Sequence, residues 1–230
     1  MGTAVAAVIF DFNGTLSDDE PLLAELFAEL AADLLGLTIS REGYLETLAG
    51  FSDLEICTSL VTMAKISDTD GAIAKDLLAK KVAAYRRRVQ LEPRISLGAA
   101  GFVREVAARV PVALVTGAVH EEVDAAIEAA GIGDLFTAVI AGDDVTRGKP
   151  DPEGFLLARE KLNLAAIDPM IVFEDSAAGL RAVRAAGMIG VKVGEDQLEQ
   201  VDGLFEWAVP RLGMEEGAWL FPLLRETERS

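Results

Sequence analysis

Two places in this 230-residue chain set carboxylates directly behind apolar runs. Val5-Ala6-Ala7-Val8-Ile9-Phe10 leads at once into Asp11, with Asn13 and Gly14 just beyond, and Met170-Ile171-Val172-Phe173 leads into Glu174-Asp175. Adjacent ionised acids at a strand end repel unless something cationic sits with them. Magnesium suits such a place, because it is a hard ion that takes oxygen ligands and is also held by substrate phosphate. A third run, Val112-Ala113-Leu114-Val115, ends in Thr116-Gly117-Ala118. A hydroxyl and the free N–H groups of a helix starting near Val119 can hold phosphate oxygens. In Arg147-Gly148-Lys149-Pro150-Asp151-Pro152-Glu153 the prolines fix a rigid stretch, which holds Lys149 at an element boundary. A carboxylate attacking phosphorus forms an acyl phosphate that water can later split. Each residue also has a simpler role open to it. Asp11 can cap a turn, Thr116 and Asp175 or Ser176 can cap helices, and Lys149 can be a solvated loop lysine.

These residues need a scaffold that brings distant strand ends together. Five apolar runs read as buried parallel strands: Val5–Phe10, Val112–Val115, Ala138–Ala141, Met170–Phe173 and Ile189–Val193. Apolar residues at helical spacing lie between the later ones, for example Phe102, Val103 and Val106, or Val123, Ile127 and Ala130. The alternation predicts an α/β fold with a doubly wound, Rossmann-like parallel sheet, whose ligands bind beyond the carboxyl ends of the strands. One segment breaks the pattern. Between the first run and Pro93 the spacing predicts only helices, at about 19–35, 40–48, 52–64 and 70–91, with Asp18 or Asp19 capping the first and Pro21 in its first turn. The expected organisation is a core at 1–16 and 93–230 with an inserted all-helical cap at 17–92. The apolar tail Leu204–Leu224 reads as a closing helix plus an irregular packed end.

The four strings, in this order from Val5 to Gly187, resemble the motifs of the haloacid dehalogenase superfamily, in its phosphatase and β-phosphoglucomutase-like branch with a helical cap. The resemblance implies a magnesium-dependent phosphomonoester hydrolase with an aspartyl-phosphate intermediate on Asp11. It implies that Thr116 holds the transferring phosphoryl group and that Lys149 neutralises the nucleophile and the phosphoryl oxygens. Asp11 and Asp175 would bind the metal by side chain, Glu174 directly or through water, and Asn13 through its main-chain carbonyl. Gly14, Thr15, Gly50, Lys81 and Gly117 join Thr116 and Lys149 as expected substrate-binding positions.

Asn13 departs from the family pattern. Phosphatases and mutases carry an Asp there that protonates the leaving oxygen and then activates water. Haloalkanoate dehalogenases typically carry Tyr, and phosphonoacetaldehyde hydrolases Ala. An amide can donate a hydrogen bond but cannot exchange a proton near neutral pH, and general acid–base help is worth about a hundred- to ten-thousand-fold in rate. A sluggish phosphatase is therefore expected, or alternatively a weakened member that binds a phosphorylated ligand without efficient turnover. A phosphomutase or a 2-haloacid dehalogenase ranks below both. Leu48-Ala49-Gly50-Phe51-Ser52-Asp53 resembles the substrate-touching cap loop, but Asp53 stands where β-phosphoglucomutases carry Arg, and an anion would repel a second phosphate. Lys81, four before Tyr85, matches a cap lysine of the mutases. With Lys80, Arg86, Arg87 and Arg88 it forms the most basic stretch, either a solvated helix face or a positive lip on the cleft.

Composition narrows the partners. The chain is 51% hydrophobic and 26% charged, with a formal net charge of −17. That charge argues against nucleic acid and anionic membranes, which need basic surface. Cys57 and His120 are the sole residues of their types, which leaves no internal disulfide and no zinc site built on several histidines. The start lacks a basic signal region, Ala6 weakens a myristoylation site, and no apolar run is long enough to span a bilayer. The expected setting is cytoplasmic, for a monomer or weak homodimer acting on a small phosphorylated metabolite.

Overall fold

The computed structural model describes residues 4–48, 51–194 and 205–224. Six parallel strands form one sheet: β1 (Ala7–Phe10), β2 (Val112–Val115), β3 (Ala138–Ile140), β4 (Met170–Glu174), β5 (Ile189–Val193) and β6 (Trp207–Val209), in the spatial order β3-β2-β1-β4-β5-β6. The winding runs outward from β1 through β2 to β3, then restarts on the other side of β1 with β4. A crevice opens between the carboxyl ends of β1 and β4, where ligands bind in this architecture.

Every residue of β1, β2 and β4 is buried, which is why these strands read as continuous apolar runs. Alternate side chains feed two cores. Val8, Phe10, Leu114, Ile171 and Phe173 face one. Ala7, Ile9, Ala113, Val115 and Val172 face the other, with Phe155 and Ala158 of a later helix. Phe10 and Phe173 stack with ring centroids 5.4 Å apart, and Phe102 sits edge-on to both at 6.1 and 5.5 Å. Phe10 and Phe173 immediately precede Asp11 and Glu174, so aromatic packing fixes the strand ends that carry the carboxylates.

Four helices occupy the segment between β1 and the rest of the sheet: α1 (Glu20–Leu35), α2 (Arg41–Thr47), α3 (Asp53–Met63) and α4 (Ala72–Leu91). The expected helices match them to within two residues at each end. α3 begins with a capping box, in which Ser52 Oγ accepts from the Glu55 amide and Glu55 Oε2 accepts from the Ser52 amide at 2.9 Å. Asp19, expected as a possible cap of α1, makes no capping hydrogen bond. α5 (Leu97–Ala107), α6 (His120–Ala129), α7 (Glu153–Lys161) and α8 (Ala177–Ala185) complete the layers around the sheet.

The tail differs from expectation. Instead of a closing helix, Trp207–Val209 adds β6 to the edge of the sheet beside β5, and a 3₁₀ helix spans Ala218–Leu223. Pro222 inside that stretch lacks the N–H an α-helix would use. Trp207 and Trp219 pack at 4.9 Å, and the Val5 amide donates to the Leu223 carbonyl at 2.7 Å, tying the tail to the start of β1. Leu204 lies outside the described residues. Among the described residues no helix is long and apolar enough to cross a membrane.

Candidate active site

Asp11 stands one residue past β1, and its amide donates to the Phe173 carbonyl at 2.9 Å. This backbone bond locks the ends of β1 and β4 together. Glu174 closes β4 and Asp175 follows it. Carboxylate oxygens of Asp11, Glu174 and Asp175 all lie within 4.8 Å of one another. Lys149 arrives from the loop before α7, and its Nζ donates to Asp11 Oδ1 at 2.5 Å and to Glu174 Oε2 at 2.6 Å.

One lysine does not balance three carboxylates. Burial, and then the charge of Glu174, push Asp11 well above the ordinary carboxylate range even though Lys149 opposes them. The same two causes raise Asp175 to about 7. The lysine is itself held charged, raised by Asp11 and Glu174 against the burial that would lower it. Residual negative charge on clustered hard oxygen donors is what a divalent cation neutralises, so this donor set fits magnesium.

Close packing holds the acids in place. Gly14 has φ +77°, and a Cβ there would meet Asp175 Oδ2 at 2.2 Å. Thr15 Oγ1 donates to Asp175 Oδ1 at 3.1 Å. Gly14 and Thr15, expected to touch substrate, lie against Asp175. Ser176 donates to Glu174 Oε1 from its amide (3.1 Å) and its hydroxyl (2.7 Å), and a Cβ on Gly179 would sit 2.0 Å from Glu174 Cδ.

These groups form the floor of a cleft of about 590 Å³ between the sheet and the helices α1–α4. Asp11, Asn13, Thr116, Gly117, Lys149, Glu174 and Asp175 all line it. Thr116 follows β2, and its Oγ1 accepts from the Ala118 amide at 3.0 Å. Gly117 lies under the segment entering α3, where a Cβ would meet Ser52 Cα at 3.2 Å. Gly50 lies outside the described residues.

Lys81 is placed differently from expectation. Its ammonium is fully buried between Asp53 at 2.9 Å and Glu122 at 2.6 Å, so it spans α4, α3 and α6 and does not line the cleft. The same pair takes up the charge of Asp53. Of the remaining basic stretch, Lys80 pairs with Asp76, Arg86 with Glu121 at 3.1 Å, and Arg88 with Glu25 at 3.5 Å. None of these lines the cleft.

Asn13 Nδ2 donates to Asp19 Oδ2 at 2.9 Å, and Tyr85 donates its hydroxyl to the same oxygen at 2.5 Å. Asp19 is fully buried, and burial raises its pKa. Glu20 lines the cleft with Oε2 buried and unpaired among the described residues, and burial followed by Asp19 and Asp11 raises it to about 7. Sequence reasoning saw Asp19 only as a helix cap and did not single out Glu20. The run Asp18-Asp19-Glu20, three acids directly after a candidate catalytic loop, was the available signal.

A parallel sheet with this strand order, carrying an aspartate after β1, a hydroxyl after β2, a lysine before α7 and paired acids after β4, defines a haloacid dehalogenase-type site. The family model of the haloacid dehalogenase-like hydrolases matches residues 5–187, and the chain belongs to that family. It is 30% identical to a phosphorylated carbohydrates phosphatase of Thermotoga maritima over 79% of this chain and 82% of that protein. It is 30% identical to the fructose-1-phosphate phosphatase YqaB of Escherichia coli, over 82% of this chain and 96% of that one. Among solved structures, CbbY from Rhodobacter sphaeroides in complex with phosphate superposes with a TM-score of 0.75 at 25% identity, covering 90% of this chain and 95% of the other. The chain is thus a hydrolase, and the Thermotoga maritima and Escherichia coli relatives are named as phosphatases.

Proposed function

We propose that this protein is a magnesium-dependent phosphomonoester hydrolase acting on a small phosphorylated metabolite, with Asp11 as nucleophile. The observation that carries the proposal is the convergence of Asp11, Lys149, Glu174 and Asp175 at the crevice between β1 and β4. A carboxylate oxygen of Asp11 attacks phosphorus in line with the ester oxygen. The P–O ester bond breaks, the alcohol leaves, and an acyl phosphate remains on Asp11. Lys149 balances charge on Asp11 and the phosphoryl oxygens, and Thr116 with the amides around Gly117 holds those oxygens. Water then attacks phosphorus, which releases inorganic phosphate and regenerates the carboxylate. Magnesium, held by Asp11, Glu174, Asp175 and the Asn13 carbonyl, would neutralise phosphate charge and orient it.

Asn13 hydrogen-bonds a leaving or attacking oxygen but supplies no proton, so the alcohol must take its proton from water or another group. That supports low turnover on poor leaving groups. It also supports a second reading, a member that binds a phosphorylated ligand without efficient turnover. Residues 17–92 act as a cap that closes over Asp11 and excludes water, hinged near 16–17 and 91–93. The lone cysteine supports a cytoplasmic setting for a monomer or weak homodimer, and the strongly acidic charge argues against nucleic-acid and anionic-membrane partners. Phosphate release from a panel of monoesters, with magnesium and with chelator, tests the proposal. Release that needs magnesium favours the hydrolase, and calorimetric binding of a phosphate mimic without release favours the second reading.

A further inference from the structure

The cleft has two chemically different ends. Its floor carries the charged groups described above. Its far wall, contributed by the helical segment, is formed by Leu23, Tyr44, Leu45, Phe51, Ile56 and Leu78. Resting on the hydrolase reading, we infer that the substrate is a phosphomonoester whose alcohol part is uncharged and largely apolar, rather than a polyol, a bisphosphate or a carboxylate-bearing ester.

The polar groups on that side point the same way. Ser52 and Glu55 satisfy each other at 2.6 Å. Asp53 Oδ1 is taken by Lys81. What remains is the Tyr44 hydroxyl and two buried acceptor atoms without partners among the described residues, Glu20 Oε2 and Asp53 Oδ2. Such a wall can receive one or two donors from a ligand. It offers little to the several hydroxyls of a sugar, which would be stripped of water against aliphatic carbon.

Charge excludes the anionic alternatives. The cations lining the cleft, among the described residues, are Lys149 and Arg147. Lys149 is held by Asp11 and Glu174, and Arg147 pairs with Asp151 and Glu153 at 3.2 Å each. A second phosphate or a carboxylate would face Glu20, and the cations lining the cleft among the described residues are already paired. The cleft volume of about 590 Å³ lies within the range of small-molecule sites.

A homologous series of n-alkyl phosphates, ethyl to hexyl, tests the inference in magnesium chloride with phosphate release as readout. Fructose 1-phosphate and phosphoglycolate serve as polyol and carboxylate comparators. The alcohols of the series have nearly constant leaving-group character, so differences report contacts with the wall. Burial of each methylene should raise kcat/KM by about two- to fourfold until the wall is covered, with hexyl phosphate at least about tenfold above both comparators. Phe51→Ser and Leu45→Ser, at positions 53% and 45% exposed and so tolerant of change, should lower kcat/KM for hexyl phosphate more than for ethyl phosphate. A flat or falling series, or a faster fructose 1-phosphate, overturns the inference and leaves the hydrolase reading standing. If none of these esters is hydrolysed, an activated aryl phosphate, which needs no general acid, decides the hydrolase reading separately, and n-alkylphosphonates titrated calorimetrically decide the wall's preference. Affinity rising with chain length supports it, and affinity independent of length overturns it.

Discussion

Asn13 donates its side-chain amide to the buried carboxylate of Asp19 at 2.9 Å. The residue at the position of the family's proton-transferring acid is thereby engaged with a second acid that Tyr85 also binds. Asn13→Asp would place two carboxyl groups face to face, and the pair would retain a proton between them. The variant should gain about a hundredfold or more in kcat on poor leaving groups such as alkyl or sugar phosphates, with a smaller gain on aryl phosphates. The alkaline limb of its pH profile, set by loss of that proton, should lie above the ordinary carboxylate range. The double variant Asn13→Asp/Asp19→Asn, which exchanges acid and amide, should keep the rate gain and return that limb toward lower pH. Asn13 precedes Gly14 and is open to deamidation, so peptide mapping accompanies the assay. No gain from either variant on any monoester would show that the missing acid is not what limits turnover.

Glu20 makes stability pH-dependent. Its folded pKa of about 7 lies above the ordinary carboxylate value, because of burial and then Asp19 and Asp11. The folded state therefore binds the proton more tightly than the unfolded chain. Stability from this group is complete below the unfolded value and is lost as pH rises through about 7. Glu20→Gln should be the more stable protein at pH 8, by of order 1–3 kcal/mol, and should converge with the wild type near pH 4. Urea unfolding in chelator at several pH values measures the difference, and a variant curve parallel to the wild type would refute the assignment.

Lys81 joins two helices of the insert to α6 through Asp53 and Glu122 with no exposed surface. Removing the cation leaves two buried acids uncompensated, so Lys81→Met should cost about 3–5 kcal/mol. Denaturant midpoints check this. A loss below about 1 kcal/mol would mean that the acids are protonated or rehydrated at no expense.

Gly179 tests the packing beneath the acids. A methyl group there would meet Glu174 Cδ at 2.0 Å, so Gly179→Ala must displace that side chain from Lys149 and Asp11. Magnesium binding by calorimetry should weaken at least about tenfold while the fold, read by circular dichroism, persists. Unchanged binding would remove Glu174 from the metal site.

The strand ends and their acids were legible because each acid directly follows a run that is buried on both faces, as Phe10-Asp11 and Phe173-Glu174 show. The four helices between β1 and α5 were legible from apolar spacing and caps. Other features depended on contacts between distant residues. Lys81 carried no local mark that would separate a cleft lysine from one clamped by Asp53 and Glu122, residues 28 and 41 positions away. Asp19 had a local alternative as a helix cap, while its actual partner Tyr85 lies 66 positions away. β6 is three residues long, too short for a period to show, and it forms where β5 supplies the ladder.

In the proposed reaction Asp11 is the nucleophile of a phosphomonoester hydrolase. Initial rates of phosphate release by wild type and Asp11→Asn, with magnesium and with chelator, test it most directly. Magnesium-dependent turnover is expected of the wild type, and none of a folded Asp11→Asn protein checked by mass for reversion to Asp. Phosphate release that persists in Asp11→Asn, or that is indifferent to magnesium, would contradict that reaction.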